Sequence, residues 1–229
     1  MTLLRFDGVS KKYPGGHQAL DDLSFTVQAG EMVFITGHSG AGKSTLLKLA
    51  HLSERPSQGA VWFDDKNLNK VRGGKVALHR RALGVVHQDH CLLLDKSVFD
   101  NVALPLLIAG IDPKQIKQRV HQALQRLGLD SRAQDISAEL STGEQQRVGI
   151  ARAIAAQPIL LLADEPTGNL DPSLAADIMQ MLVGLTEQGA AVVIASHDLA
   201  LVKRMKKRVL VIDKGRLMDD ISPEELADE

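Results

Sequence analysis

Apolar residues in this chain gather in short unbroken runs. Residues 32–35, 83–86, 159–163, 190–195 and 209–212 are each too short for a helix and show no in/out alternation. Runs of that kind fit strands buried on both faces of a parallel sheet. Between them the spacing turns helical, over 42–51, 116–127, 144–156 and 175–186. Strand alternating with helix predicts an α/β architecture with right-handed crossovers. The N-terminal segments 3–7, 23–27 and 60–63 alternate more and are separated by Pro14-Gly15-Gly16 and Ala29-Gly30, which predicts a small antiparallel layer packed on the parallel core. From Gln88 to Leu140 helical periodicity dominates. That stretch reads as a helical subdomain, approximately 89–140, inserted in a single domain of residues 1–229.

The chemistry lies in the polar residues just past the runs, where open α/β sheets bind ligands. After the first run comes Gly37-His38-Ser39-Gly40-Ala41-Gly42-Lys43-Ser44, a complete G-x-x-x-x-G-K-[ST] pattern between a predicted strand and a predicted helix. Its glycines let the backbone wrap a phosphate, and the amides of the following helix point at the anion. Lys43 is placed for the β- and γ-phosphates and the Ser44 hydroxyl for Mg²⁺. Thr45, next in the chain, joins the nucleotide-binding candidates. The run 159–163 ends in Asp164-Glu165: one carboxylate for the Mg²⁺ shell, the other to polarise an attacking water. Gln88 and His197 follow two further runs. Ser141-Thr142-Gly143-Glu144 reads as a capping box that opens a helix. A helix N-terminus is also an anion site, so this second one suggests the far end of a shared ligand.

Composition narrows the picture. Lys plus Arg number 27 against 28 Asp plus Glu, a net charge of −1, so no basic excess points to nucleic acid as the main partner. Aromatic residues are only 3%, and the core must therefore be aliphatic. A lone cysteine, Cys91, excludes an internal disulfide and fits a reducing compartment. No apolar stretch approaches the roughly 20 residues of a membrane helix, and residues 1–7 do not read as a signal peptide. The basic run 203–208 reads as a solvated helix face. The one Asn-Lys pair, Asn69-Lys70, continues as Val71-Arg72 and so lacks the Asp of a guanine-reading motif.

Taken in order, these motifs resemble those of ATP-binding cassette (ABC) ATPases over essentially the whole chain. Residues 37–44 match Walker A, Gln88 the Q-loop, and Leu140-Ser141-Thr142-Gly143-Glu144-Gln145 the signature. Asp164-Glu165 ends Walker B, Asn169-Leu170-Asp171 is the D-loop, and His197 is the switch histidine. The resemblance implies a P-loop NTPase core that binds ATP and Mg²⁺. Tyr13, the single tyrosine, would stack on adenine; Ser44, Gln88 and Asp164 would hold the metal; Glu165, His197 and Lys43 would carry catalysis. It also implies an ATP-dependent homodimer, with each nucleotide sandwiched between Walker A of one copy and Ser141–Glu144 of the other. The implied partner is a polytopic membrane protein docking near 88–111, which would hold the chain peripherally at the cytoplasmic face of the bacterial inner membrane. Residues 88–106 are similar to the cell-division branch of the family, whereas 161–171 are shared with lipoprotein-releasing and macrolide-export ATPases. Two positions depart from the family pattern. Thr142 stands where Gly is usual, its small hydroxyl side chain being expected to allow the dimer, and His87 stands where an aromatic is common.

Overall fold

The computed structural model describes residues 1–227. Its backbone of structure is a six-stranded sheet in the order β10-β9-β3-β8-β7-β6. The strands are β3 (Met32–Thr36), β6 (Leu83–Val86), β7 (Leu160–Asp164), β8 (Ala191–Ala195), β9 (Arg208–Asp213) and β10 (Arg216–Ile221). All neighbours are parallel except the β9–β10 hairpin. The unbroken apolar runs are explained by burial on both sides. Met32, Phe34, Leu161, Ala163, Val192 and Ile194 face one core. Val33, Ile35, Leu160, Leu162, Val193 and Ala195, alternate along the same strands, face the other.

The second core is closed by α1 (Lys43–Ala50) and by the N-terminal sheet. That sheet is antiparallel, in the order β2-β1-β4-β5, from β1 (Thr2–Lys12), β2 (Gln18–Gln28), β4 (Gln58–Phe63) and the two-residue β5 (Lys66–Asn67). The first core is covered by α3 (Val98–Ile108), α4 (Pro113–Arg126), α5 (Thr142–Ala155), α6 (Pro172–Glu187) and α7 (Leu199–Met205). Helix α5 lies so close to the sheet that a Cβ on Gly84 would sit 2.5 Å from the Ala153 carbonyl oxygen and 2.8 Å from a Leu161 methyl. Asn101, fully buried on α3, ties the segment after β6 to the helices. It accepts from the Leu93 amide at 2.8 Å and donates to Leu93 O and to Ser137 Oγ, both at 2.9 Å.

Three features were not anticipated by the sequence pattern. Helix α2 (Gly74–Arg81) is short, largely exposed and strongly basic, with no apolar stripe to announce it. Strand β10 is an edge strand whose Asp219 and Asp220 face outward, so it carries no buried run. The basic run 203–208 is not one helix face: α7 stops at Met205, Lys206 turns left-handed, and Arg208 opens β9. There Arg208 donates to both carboxylate oxygens of Asp220 at 2.7 Å, and to Glu31 and the Thr26 carbonyl at 2.8 Å. The bidentate carboxylate raises its pKa against the burial that lowers it. Among the described residues no helix is long and apolar enough to cross a membrane.

His51 caps the C-terminus of α1, and Arg80 of α2 folds over it to donate to the Leu52 carbonyl at 3.0 Å. Burial, then the charges of Arg80, His87 and His79, push the His51 imidazole down to about 4. Unfolded, it titrates near 6.5, so between the two values the unfolded chain takes a proton that the folded chain refuses. Its contribution is therefore complete above pH 6.5 and is lost as the pH falls toward 4. Urea unfolding should show stability dropping by on the order of 2 kcal/mol across that window, and His51→Gln should remove that part of the slope.

Candidate functional site

The site starts where β3 runs out. Gly37 leaves the strand at φ 149°, pressed so tightly on β9 that a Cβ would lie 2.1 Å from the Ile212 carbonyl oxygen. Gly42, the N-cap of α1 at φ 113°, meets the Ala19 carbonyl in the same way at 2.5 Å. Only glycine meets both demands. Between them the loop closes on its own lysine: the buried Lys43 ammonium donates to the carbonyls of Gly37 at 2.7 Å and His38 at 3.1 Å. The carbonyls thus turn inward, and the amides of Ser39, Gly40 and Gly42 make no hydrogen bond within the described residues. The loop is an anion cradle in which a phosphate would gain unpaired donors, a lysine and the start of a helix.

This cradle forms one wall of a cavity of about 870 Å³ at the C-terminal ends of the parallel strands. Gly37, His38, Ser39, Gly40, Gly42, Lys43, Ser44 and Thr45 line it together with Gln88, Asp164, Glu165 and His197. Four strands therefore deliver their terminal polar groups to one space. Ala41 does not line it; the residue is buried, its amide donating to His38 O at 3.1 Å and its carbonyl accepting from Gly215 at 2.9 Å. Ser44, Asp164 and Gln88 offer a hydroxyl, a carboxylate and an amide oxygen, hard donors that suit a Mg²⁺ sharing its shell with phosphate oxygens. No group of three or more His, Cys, Asp or Glu among the described residues could hold a metal on its own.

Glu165 and His197 are joined directly, with Nδ1 of the histidine 2.6 Å from Oε1 of the glutamate. Glu165 is held in the left-handed region at φ 49°, its amide donating to the Ala195 carbonyl at 2.9 Å. Its side chain is 14% exposed while that of His197 is 72% exposed, so the carboxylate is the buried member of the pair. A left-handed glutamate is costly and persists only where the surroundings over-determine it.

Tyr13 and residues 141–144 lie outside the cavity lining. The Tyr13 hydroxyl is 3.4 Å from Thr45 Oγ1, which brings its ring beside the phosphate loop. Ser141 and Glu144 form the expected capping box on α5, and Ser141 Oγ donates to the Glu144 carboxylate at 2.7 Å. Those bonds, reinforced by Arg132, hold the Glu144 pKa below the usual range. A Cβ on Gly143 would reach Leu170 at 3.4 Å and the Asn169 carbonyl at 3.5 Å, so the signature turn packs against the D-loop of its own chain. Walker A and the signature are thus two separate surfaces of one molecule. The cavity walls also include His17, Ala19 and Asp213, which no sequence motif singled out.

Gln88 belongs to a strained turn, in which His90 and Cys91 both sit left-handed at φ 56° and 49°. Arg152, three turns into α5, donates to their two carbonyls at 2.7 Å each. His87 lies within electrostatic reach of both Arg152 and Asp164. The helix that begins with the signature is thereby strapped to the loop that carries Gln88.

The model of the "ABC transporter" family matches residues 20–168. The chain is 47% identical to "Cell division ATP-binding protein FtsE" of Escherichia coli strain K12, over 97% of this chain and 100% of that protein. It is 41% identical to the Bacillus subtilis protein of the same name, over 96% of each. Among solved structures it is similar to the dimeric post-hydrolysis state of the ATP-binding cassette MJ0796 bound to ADP and Pi. That match has a TM-score of 0.91 and 31% identity over 96% of this chain and 99% of the other.

The Arg152 strap can be tested by hydrogen exchange. In Arg152→Gln the amides of residues 89–93 should lose at least about tenfold in protection while the core strands keep theirs, the signature of local opening.

Proposed function

The chain belongs to the ABC transporter family of ATPases, and from that premise we propose how its residues divide the work. ATP lies with its phosphates in the loop 37–45, where Lys43 and the free amides neutralise them, and with its adenine on Tyr13. Ser44, Asp164 and Gln88 would hold Mg²⁺, which would supply positive charge to offset that of the phosphates. The Oε2 of Glu165, free of His197, takes a proton from a water as that water attacks the γ-phosphorus. The new P–O bond forms as the bond to the bridging oxygen breaks, leaving ADP and inorganic phosphate. His197 donates through Nδ1 to Glu165, which fixes the carboxylate and holds the histidine at the mouth of the γ-phosphate site.

One observation carries this reading: four strand ends converge on one cavity, while the signature 141–144 stays outside it. The site is then completed by a second copy placed head to tail, whose Ser141, Thr142, Gly143 and Glu144 cover the γ-phosphate. Ser141 must release Glu144 to do so, and Thr142 adds a hydroxyl donor. The region 89–140 acts as the helical lobe that docks a membrane partner. Leu93, Leu94, Leu107 and Ile108 expose 44% to 59% of their surface in this region, apolar area for a partner to cover. The partner we propose is an FtsX-like polytopic membrane protein, with the chain peripheral at the cytoplasmic face of the inner membrane during cell division. Closure on ATP and opening after hydrolysis would then move that partner.

Replacing the general base separates binding from chemistry. Glu165→Gln should bind ATP with wild-type affinity and run as a dimer with ATP in size-exclusion chromatography. Its phosphate release should fall by at least about a hundredfold. A wild-type rate would remove Glu165 from its role.

A further inference from the structure

Lys11, near the end of β1, is only 8% exposed, an unusual place for an ammonium. It is fully engaged: Nζ donates to Glu54 Oε2 at 2.7 Å and to the Arg55 carbonyl at 2.9 Å. The same Nζ lies 4.8 Å from the centroid of the Tyr13 ring. Tyr13 is two residues on, just past the end of β1 at Lys12, so the two side chains meet where the strand runs out. Glu54 and Arg55 come from the segment just after α1, the helix that the phosphate loop opens. The ring is therefore fixed at two points. A cation tied to the end of α1 sits over its ring, and its hydroxyl meets Thr45 in the first turn of that same helix.

We propose that Lys11 is a positioning residue for the adenine end of the nucleotide site, acting through Tyr13. An ion pair alone accounts for Lys11 and Glu54 but not for the ring held against the ammonium. A cation on one face of an aromatic ring is attracted to its quadrupole and leaves the opposite face for a planar partner. Holding that ring in place before binding removes part of the ordering cost that a free tyrosine would meet on stacking. The effect is confined to the base: the phosphates contact residues 37–45, which Lys11 does not touch. This inference rests on the proposed stacking of adenine on Tyr13.

Inorganic tripolyphosphate is the probe that separates the two ends of the site, since it fills the phosphate cradle and offers nothing to stack. In the full-length protein, Lys11→Met should weaken ATP about fivefold and leave tripolyphosphate binding unchanged, while Lys11→Arg, which keeps a cation near the ring, restores most of the loss. Glu54→Gln, which loosens the ammonium without touching Tyr13, should give a smaller selective loss and serves if Lys11→Met does not fold. The chain has a single tyrosine, so ring-labelled Tyr13 gives one NMR environment, and its shift should move in Lys11→Met and in Glu54→Gln. Parallel weakening of ATP and tripolyphosphate, or no change in either, overturns the role of Lys11 if Tyr13→Ala still loses ATP selectively. If Tyr13→Ala shows no selective loss, adenine stacking itself fails and the positioning role falls with it.

Discussion

The site depends on the way the phosphate loop closes around Lys43. An ammonium held by the carbonyls of Gly37 and His38 turns those oxygens inward and leaves the loop amides facing the cavity. That closure is possible only because Gly37 packs against the Ile212 carbonyl on β9 and Gly42 against Ala19 on β2. A side chain at either position would push the loop off the strands that support it. The anion site is consequently anchored to both sheets at once. Its geometry is set by the order of strands around β3 rather than by the loop alone.

From that anchor the other groups can be read as distances along strands. Asp164 ends β7 and Glu165 follows it, beside β8, whose exit delivers His197, and Glu165 pairs with His197 at 2.6 Å. Gln88 leaves β6, next to β7, through a turn that the backbone adopts at a cost. Two consecutive non-glycine residues stand in the left-handed region and are held by one arginine. Strain at Glu165 and strain at the Gln88 turn therefore flank the same cavity. On the proposed dimer, α5 is the element that joins them to the outside, since it starts at the signature and carries Arg152 about three turns further along. With a membrane partner docked as proposed, the Gln88 turn, Arg152 and the exposed leucines at 93 and 94 would form a short route from nucleotide to partner.

Much of this was legible in the sequence, for reasons particular to each part. The parallel strands were readable because both faces are buried, which forces unbroken apolar runs such as 160–163. The phosphate loop was readable because its glycines, lysine and serine act through local backbone geometry at fixed spacing. What escaped lacks such a local mark. The basic helix α2 buries little apart from His79, and β10 buries none of its residues. Arg208 looked like one more cation in a basic run until the β9–β10 hairpin set Asp220 beside it. Lys11, Arg152 and the Glu165–His197 pair act through partners between 32 and 62 residues away, or through a ring whose position depends on such partners. Contacts of that kind exist only once the chain is folded.

The central claim is that one chain holds two half-sites that must meet in different copies. Ser141→Arg blocks the signature, and Lys43→Ala disables the phosphate loop; their ATP hydrolysis should be measured separately and after mixing. The account predicts that each variant is inactive alone and that the mixture regains activity, because a mixed dimer contains one intact phosphate loop facing one intact signature. Wild-type hydrolysis by Ser141→Arg alone would contradict it, since the site would then be complete within a single chain.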